Sequence, residues 1–330
     1  MTVIAVQVSR VCKTAKHKSR RSMKTFGSIL LLLSFVLIAC MEESPTQAML
    51  TLPNVEDILT YNEQYRDSII AQTNGRVVIF HRDDGGLHVL LSGAKVRSAT
   101  WTPNKRRILY STPYELCLAD ANGNNAFKIS HEREYILYAL ASPSGTKIAY
   151  IAIDTASTAL SSGAIKVMNA DGSSPSQLTP FQTSLSGLTW NPDSKTIIYI
   201  LNSNGFGSIH QISIDDKSDR VLHSSPRGLC YTPAISRDGT SLAFSAWTDS
   251  LTFKISLLNM QSGVIQQLTT GNSSDQSPSW SPDGNALVYQ RAEYISPYNW
   301  HGSSVWFIQK DGSNNVCLTT AADQCYDPSW

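Results

Sequence analysis

The chain has 330 residues and a formal net charge of +1. Seven of its basic side chains and none of its acids fall in the first 39 residues, so the remainder holds 20 basic against 26 acidic residues, a net charge of −6. A mildly acidic body argues against nucleic acid as a partner, and 291 residues fit one large domain and not two.

The N-terminal stretch carries Arg10, Lys13, Lys16, Lys18, Arg20, Arg21 and Lys24, followed by an apolar run from Phe26 to Ala39. At 14 residues that run is too short for a bilayer span, which needs about 20, but it suits the core of a signal peptide. It ends at Leu37-Ile38-Ala39-Cys40, which resembles a bacterial lipobox. That resemblance implies diacylglycerol on Cys40, a membrane partner through the lipid, and Met41 as a signal for release to the outer membrane. The expected organisation is a leader over 1–39, a tether over 40–60 and a folded domain over 61–330.

Past the tether, Arg76 to Phe80 reads as a second strand and Leu87 to Leu91 as a third, in a repeat that lacks its opening. Fuller copies follow. Trp101-Thr102-Pro103-Asn104 leads into Ile108-Leu109-Tyr110, and Ala141-Ser142-Pro143-Ser144-Gly145 into Ile148-Ala149-Tyr150. Trp190-Asn191-Pro192-Asp193, Ile235-Ser236-Arg237-Asp238-Gly239 and Trp280-Ser281-Pro282-Asp283-Gly284 continue the series, which ends at Asp327-Pro328-Ser329-Trp330. The tryptophan-equivalent positions 101, 141, 190, 235, 280 and 330 are spaced by 40 to 50 residues. Pro presets φ, Asp hydrogen-bonds its own backbone and Gly accepts positive φ, so each copy supplies a tight turn between two strands. A period in the forties made of short strands and turns predicts an all-β, six-bladed β-propeller of four-stranded antiparallel blades. An unpaired terminal strand would expose backbone and a Trp, so the last copy is expected to lie beside Arg76–Phe80 and close the ring, with Ser68 to Gln72 as the competing local source of a first strand.

These residues resemble the TolB-type (WD40-like, PD40) propeller repeat, most strongly over 278–284 and more weakly over 139–145 and 233–239. The resemblance implies a periplasmic or extracellular propeller used as a binding platform or as a domain beside an enzyme.

In such a meander the Pro-Asp-Gly turns share one face of the ring, expected to be structural. The longer connections 154–163, 202–207, 247–251 and 291–302 share the other face, where function is expected on the loops or at the channel they surround. Arg291, Tyr294, Tyr298, Trp300 and His301 make the richest of these loops and are the candidate partner-binding residues, since exposed Tyr, Trp and Arg anchor partners most often. His81, His131, His223 and His301 also map to this face near Glu132 and Asp275. Imidazoles with a carboxylate could hold Zn²⁺ or Mn²⁺, and oligogalacturonate lyases related to this repeat family use channel histidines and a metal. No HxH or HxxxH spacing, Gly-x-Ser-x-Gly elbow or phosphate loop occurs, so no metal, cofactor or catalytic residue is assigned. Cys117, Cys230, Cys317 and Cys325 read as free thiols rather than disulfides. The expected function is a non-catalytic, lipid-anchored platform of the cell envelope, facing the periplasm from the outer membrane and binding protein or envelope polymer. The alternatives are a metal-dependent polysaccharide lyase or hydrolase, and a sensor or gating propeller beside a separate enzyme.

Overall fold

A computed structural model describes residues 61–81, 86–93, 95–130, 134–154, 162–225, 228–248, 252–296 and 299–330, with side chains left undescribed at 294–296 and 299–301. The chain divides into two compact units, Met1–Leu52 and Pro53–Trp330, and every described residue belongs to the second. That unit is a six-bladed propeller. Each blade is an antiparallel sheet whose strands run outward from the central channel.

Blade 2 is typical: Ser98–Trp101, Arg107–Thr112, Glu115–Asp120 and Phe127–Lys128. Blades 4 and 5 open with Leu185–Trp190 and Cys230–Ile235, and blade 6 with Ser274–Trp280. Blade 3 opens with Tyr135–Ala141 and carries a fifth short strand, Gln182–Thr183, on the outer edge of Ser162–Asn169. Second strands such as Lys147–Ile153 are apolar on both faces because a blade lies against each. The fourth strand of blade 5, Ile265–Gln267, is exposed throughout and largely polar. The core is correspondingly divided into layers between blades. Ile151, Ile165 and Val167 of blade 3 meet Leu188, Trp190 and Tyr199 of blade 4 in one such layer. Each fully buried side chain of this size contributes about 1.5–3 kcal/mol.

The turn chemistry is as the repeats require. Ser281 Oγ donates to Asp283 Oδ1, Gly284 N–H closes onto the Ser281 carbonyl at 3.0 Å, and Gly284 sits at φ 71°. Two copies lack the glycine, and there Lys105 and Ser194 take φ 57° instead.

The C-terminal strand Tyr326–Ser329 does close the ring, as the innermost strand of blade 1, but its neighbour is not Arg76–Phe80. It pairs with Ser68–Thr73, with Ile70 opposite Ser329 and Gln72 opposite Tyr326. Arg76–His81 is therefore the third strand of the blade and His88–Leu91 the fourth. Both sources considered for the missing strand are used, one for each missing position. The correction moves His81: as the end of a third strand it belongs to the Pro-Asp-Gly face, opposite Ser68, and not to the face of the longer connections.

Two of the expected long loops are also paired structure. Residues 202–207 form a tight hairpin around Asn204 and Gly205, both at positive φ. Residues 291–296 and 299–302 continue the second and third strands of blade 6, Ala286–Ser296 and Asn299–Gln309, which run to 11 residues each. The register Glu293–His301, Tyr294–Trp300 and Ser296–Asn299 makes this segment a projecting hairpin.

Closure gives a direct test. Deleting residues 326–330 removes the partner of Ser68–Thr73 and should lower the melting temperature of the whole unit in one cooperative transition by about 10 °C or more, at roughly 2–4 °C per kcal/mol. A truncated chain that melts like the intact one contradicts the closure.

Candidate functional site: the central funnel

The innermost strands end at the Pro-Asp-Gly turns, and around them lies a cavity of about 450 Å³. Its wall takes Trp101, Trp190, Trp280 and Trp330 from the strand ends, Pro103, Pro143, Pro192 and Pro282 from the turns, and Arg237 where blade 5 has no proline. The face expected to be purely structural is thus the one that carries the concave site. The reason is geometric: five turns of the same short length, with the chain end completing the circle in blade 1, leave a regular rim instead of filling the channel.

Deeper in, the innermost strands are bulged. Register shifts fall at Leu185–Leu188, Tyr231–Ala234 and Gln276–Ser279, and again where Tyr326–Ser329 meets Ser68–Thr73. At these bulges Gly187, Thr232, Ser277 and Asp327 take φ of 105°, 48°, 53° and 46°. Each stands three residues before the tryptophan position of its repeat. In the last three blades proline follows at Pro233, Pro278 and Pro328, allowed because an innermost strand presents an unpaired edge to the channel. A left-handed non-glycine residue costs about 1–3 kcal/mol, and a β-branched one such as Thr232 is a genuine outlier. Gly187 is glycine for a packing reason as well: a Cβ there would lie 3.0 Å from Pro233 Cδ and 3.2 Å from Thr232 Cα.

Bulges re-aim side chains, and here they build a polar chain from blade to blade. Ser277 N–H donates to Thr232 Oγ1 at 3.2 Å, and Ser277 Oγ donates to Asp327 Oδ1 at 2.6 Å. Gln72 Nε2 reaches Asp327 Oδ2 at 3.4 Å. No cationic side chain among the described residues pairs with Asp327. Burial pushes its carboxyl above the usual range, partly offset by the Ser277 hydrogen bond. Tyr138, partly buried, is raised by desolvation and by the charge of Asp327.

The tryptophans differ in whether the indole N–H is satisfied. Trp190 Nε1 donates to the Leu140 carbonyl of the preceding blade at 3.1 Å, and Trp280 Nε1 to the Ala234 carbonyl at 2.9 Å. The residues equivalent to Leu140 and Ala234 are Ser279 and Ser329 in blades 6 and 1. Their hydroxyls accept the backbone N–H of Trp330 at 3.0 Å and of Trp101 at 3.3 Å. Both of those indole N–H groups are left buried with no protein partner, as are Gln72 Oε1 and the Tyr61 hydroxyl. All four residues line the cavity, and Trp330, Gln72 and Trp101 come from two adjacent blades. Tyr61 precedes Asn62, whose N–H bonds the Asn104 carbonyl of the blade 2 turn, so the incoming chain runs along the rim. The charged groups beside it are Arg237 and Lys105. Lys105 donates to the Ser68 carbonyl at 2.6 Å, and burial lowers its ammonium to about 7 against the pull of Asp67.

The residues singled out from sequence are scattered. Arg291 is not at a loop tip: its side chain, 13% exposed, grips the fully buried Asp275 at 2.7 and 3.1 Å and lies over the Trp306 ring. Lys254 completes that ion cluster at 3.7 Å, so Asp275 is committed to two cations and anchors the base of the hairpin. Cys40, His131, Glu132 and Tyr298 lie outside the described residues, as do the side chains of Tyr294, Trp300 and His301. His81 bonds Ser68 Oγ at 3.3 Å, and burial lowers His223 in the fourth strand of blade 4. Among the described residues no three His, Cys, Asp or Glu side chains gather as a metal site would need. One histidine grouping went unnoticed in the sequence. His210 Nε2 contacts Ser208 Oγ at 2.9 Å, and Nδ1 stands 3.4 Å from Asp219, which also accepts from the Tyr199 hydroxyl at 2.7 Å. The Ser208 hydroxyl is donated to the Leu201 carbonyl and the imidazole stacks on Tyr199, so the group is a cross-strand ladder of blade 4. Cys117, Cys230, Cys317 and Cys325 are free thiols.

The sign of the Asp327 shift yields a prediction. A carboxyl raised above its ordinary 3.8 holds its proton more tightly folded than unfolded, so its contribution falls as pH rises through the folded value. Asp327→Asn, which keeps the tolerance for left-handed φ, should therefore raise the melting temperature at pH 7, with the gain vanishing towards pH 3. A variant less stable than the parent at pH 7 contradicts the assignment.

Comparison with known proteins agrees with this architecture. Residues 155–330 match the family model described as the TolB beta propeller domain, PD40. The fold is similar to the structure of a putative TolB from Agrobacterium tumefaciens, with 18% identity, a TM-score of 0.63 and coverage of 79% of this chain and 96% of that one. It is also similar to TolB from Acinetobacter baumannii, with 18% identity, a TM-score of 0.67 and coverage of 83% and 69%. Over 152 residues the chain is 28% identical to an uncharacterized peptidase, YuxL, of Bacillus subtilis (strain 168), which covers 45% of this chain. The chain spans only a fifth of that relative's length. With the matching model covering more than half of its residues, this chain belongs to the PD40 family of TolB β-propellers.

Proposed function

We propose that this propeller is a non-catalytic binding platform that receives a protein partner in its central funnel. The observation that carries the reading is the set of four buried polar atoms without protein partners, on Tyr61, Gln72, Trp101 and Trp330, all lining one cavity. An unpaired buried polar group costs about 1–3 kcal/mol, and a native fold retains such groups where something else satisfies them. The strained bulges at Thr232, Ser277 and Asp327 point the same way, since backbone strain of this kind collects at functional sites.

The projecting hairpin of blade 6 supplies a second contact. Its paired strands reach 11 residues, and its base is held by the Arg291–Asp275 ion pair. In this reading Tyr294, Tyr298, Trp300 and His301 meet the partner, while Arg291 holds the hairpin that presents them. Diacylglycerol on Cys40 ties the ring to a membrane of the cell envelope through the tether.

A photoreactive amino acid in place of Arg237 or Pro282 at the rim should yield a discrete protein adduct in cells. The same group in place of Val264, 63% exposed on the outer edge of blade 5, should not. Adducts from the outer edge alone contradict a funnel site. For the anchor, Cys40→Ser should leave the protein unprocessed or released from membranes; unchanged membrane fractionation contradicts lipidation.

A further inference from the structure

The funnel floor is chemically specific. Asp327 is a carboxylate with hydroxyl and amide donors but no cation among the described residues. Beside it Gln72, 1% exposed, gives its Nε2 to Asp327 and leaves its carbonyl oxygen Oε1 unpartnered. Two acceptors, one charged, thus converge where the protein offers no positive charge. Higher in the funnel, at the tryptophan level, the free groups have the opposite sense: the indole N–H groups of Trp330 and Trp101 are donors in search of an acceptor. A fitting ligand carries a cationic donor at its leading end and carbonyl oxygens behind it.

The spacing narrows this further. Asp327 lies three residues before Trp330, which at a rise of about 3.3 Å per residue, shortened by the bulge, sets the floor below the indoles by less than 10 Å. Arg237, two residues beyond the tryptophan position of its repeat, stands at the rim. A free cation would meet Arg237 first, whereas a lysine on a peptide brings its ammonium past the rim on a four-carbon stem that the apolar walls accept.

We propose that the funnel recognises a lysine-bearing segment of the partner protein, its ammonium held by Asp327 and Gln72 Oε1 and its backbone carbonyls by the indole N–H groups of Trp101 and Trp330. The inference rests on the funnel being the partner site. A guanidinium would also pair with Asp327, but its five donors outnumber the two acceptors that converge here.

The experiment uses the full-length protein and two short peptides, acetyl-Ala-Lys-Ala-amide and its norleucine counterpart, followed by the indole N–H signals of its seven tryptophans. The lysine peptide should shift the Trp101 and Trp330 signals and bind about tenfold or more tighter than the norleucine peptide, the ordinary worth of a charge-assisted hydrogen bond. Asp327→Asn, with its fold verified by an unimpaired melting transition, should bring the two peptides to equal affinity. Trp330→Phe should weaken both alike. Equal binding of the two peptides by the parent, no binding of either, or discrimination that survives Asp327→Asn overturns the proposal. So does n-butylammonium binding as tightly as the lysine peptide, since the backbone contacts then contribute nothing. If rim adducts persist while lysine discrimination is absent, only the cation specificity falls; if the adducts are also absent, the funnel site falls with it.

Discussion

The ring depends on one antiparallel pairing, between the last strand of the chain and the first described one. Tyr326–Ser329 lies against Ser68–Thr73 across more than 250 intervening residues. Without it blade 1 has no innermost strand and blade 6 has an uncovered face. The pairing also makes the site. Asp327, Ser329 and Trp330 come from one end of the chain, Gln72 and Tyr61 from the other, and neither end forms the funnel floor alone. Closure of the ring and formation of the funnel are thereby one structural event. A partner held in the funnel would clamp the two chain ends together and stabilise the fold by mass action.

Most of the fold was legible in the sequence because the repeat is enforced residue by residue. Pro-Asp-Gly turns, a tryptophan at the strand end and apolar second strands recur wherever a blade must turn and pack. Blade 1 was misassigned by one strand because it lacks that turn: its two inner strands come from opposite ends of the chain, and no local motif joins them. The error carried His81 to the wrong face. The hairpin of blade 6 was taken for a loop, yet Glu293, Tyr294 and Ser296 pair with His301, Trp300 and Asn299.

The site was harder to read, for a physical reason. Exposed aromatic residues and histidines drew attention to the face of the longer connections, whereas the funnel is lined by ordinary residues made unusual by position. Ser279 and Ser329 differ from Leu140 and Ala234 by little in a sequence, yet in the two blades that follow them the indole N–H has no protein partner. Asp327 reads as a turn residue before proline until a bulge aims it into the channel. One signal was available: Thr232-Pro233, Ser277-Pro278 and Asp327-Pro328 stand at the same place in three consecutive repeats, and a paired strand interior should not hold proline.

The proposed role of the funnel turns on whether the fold leaves the Asp327 carboxylate there without a compensating charge. Titrating the Asp327 side-chain carboxyl by ¹³C NMR in the unliganded full-length protein addresses this most directly. A midpoint well above the ordinary carboxylate value, falling when a cation occupies the floor, is what the account predicts. A midpoint at or below the ordinary value would mean that the protein already neutralises this charge itself, and the funnel would have no need of the partner assigned to it.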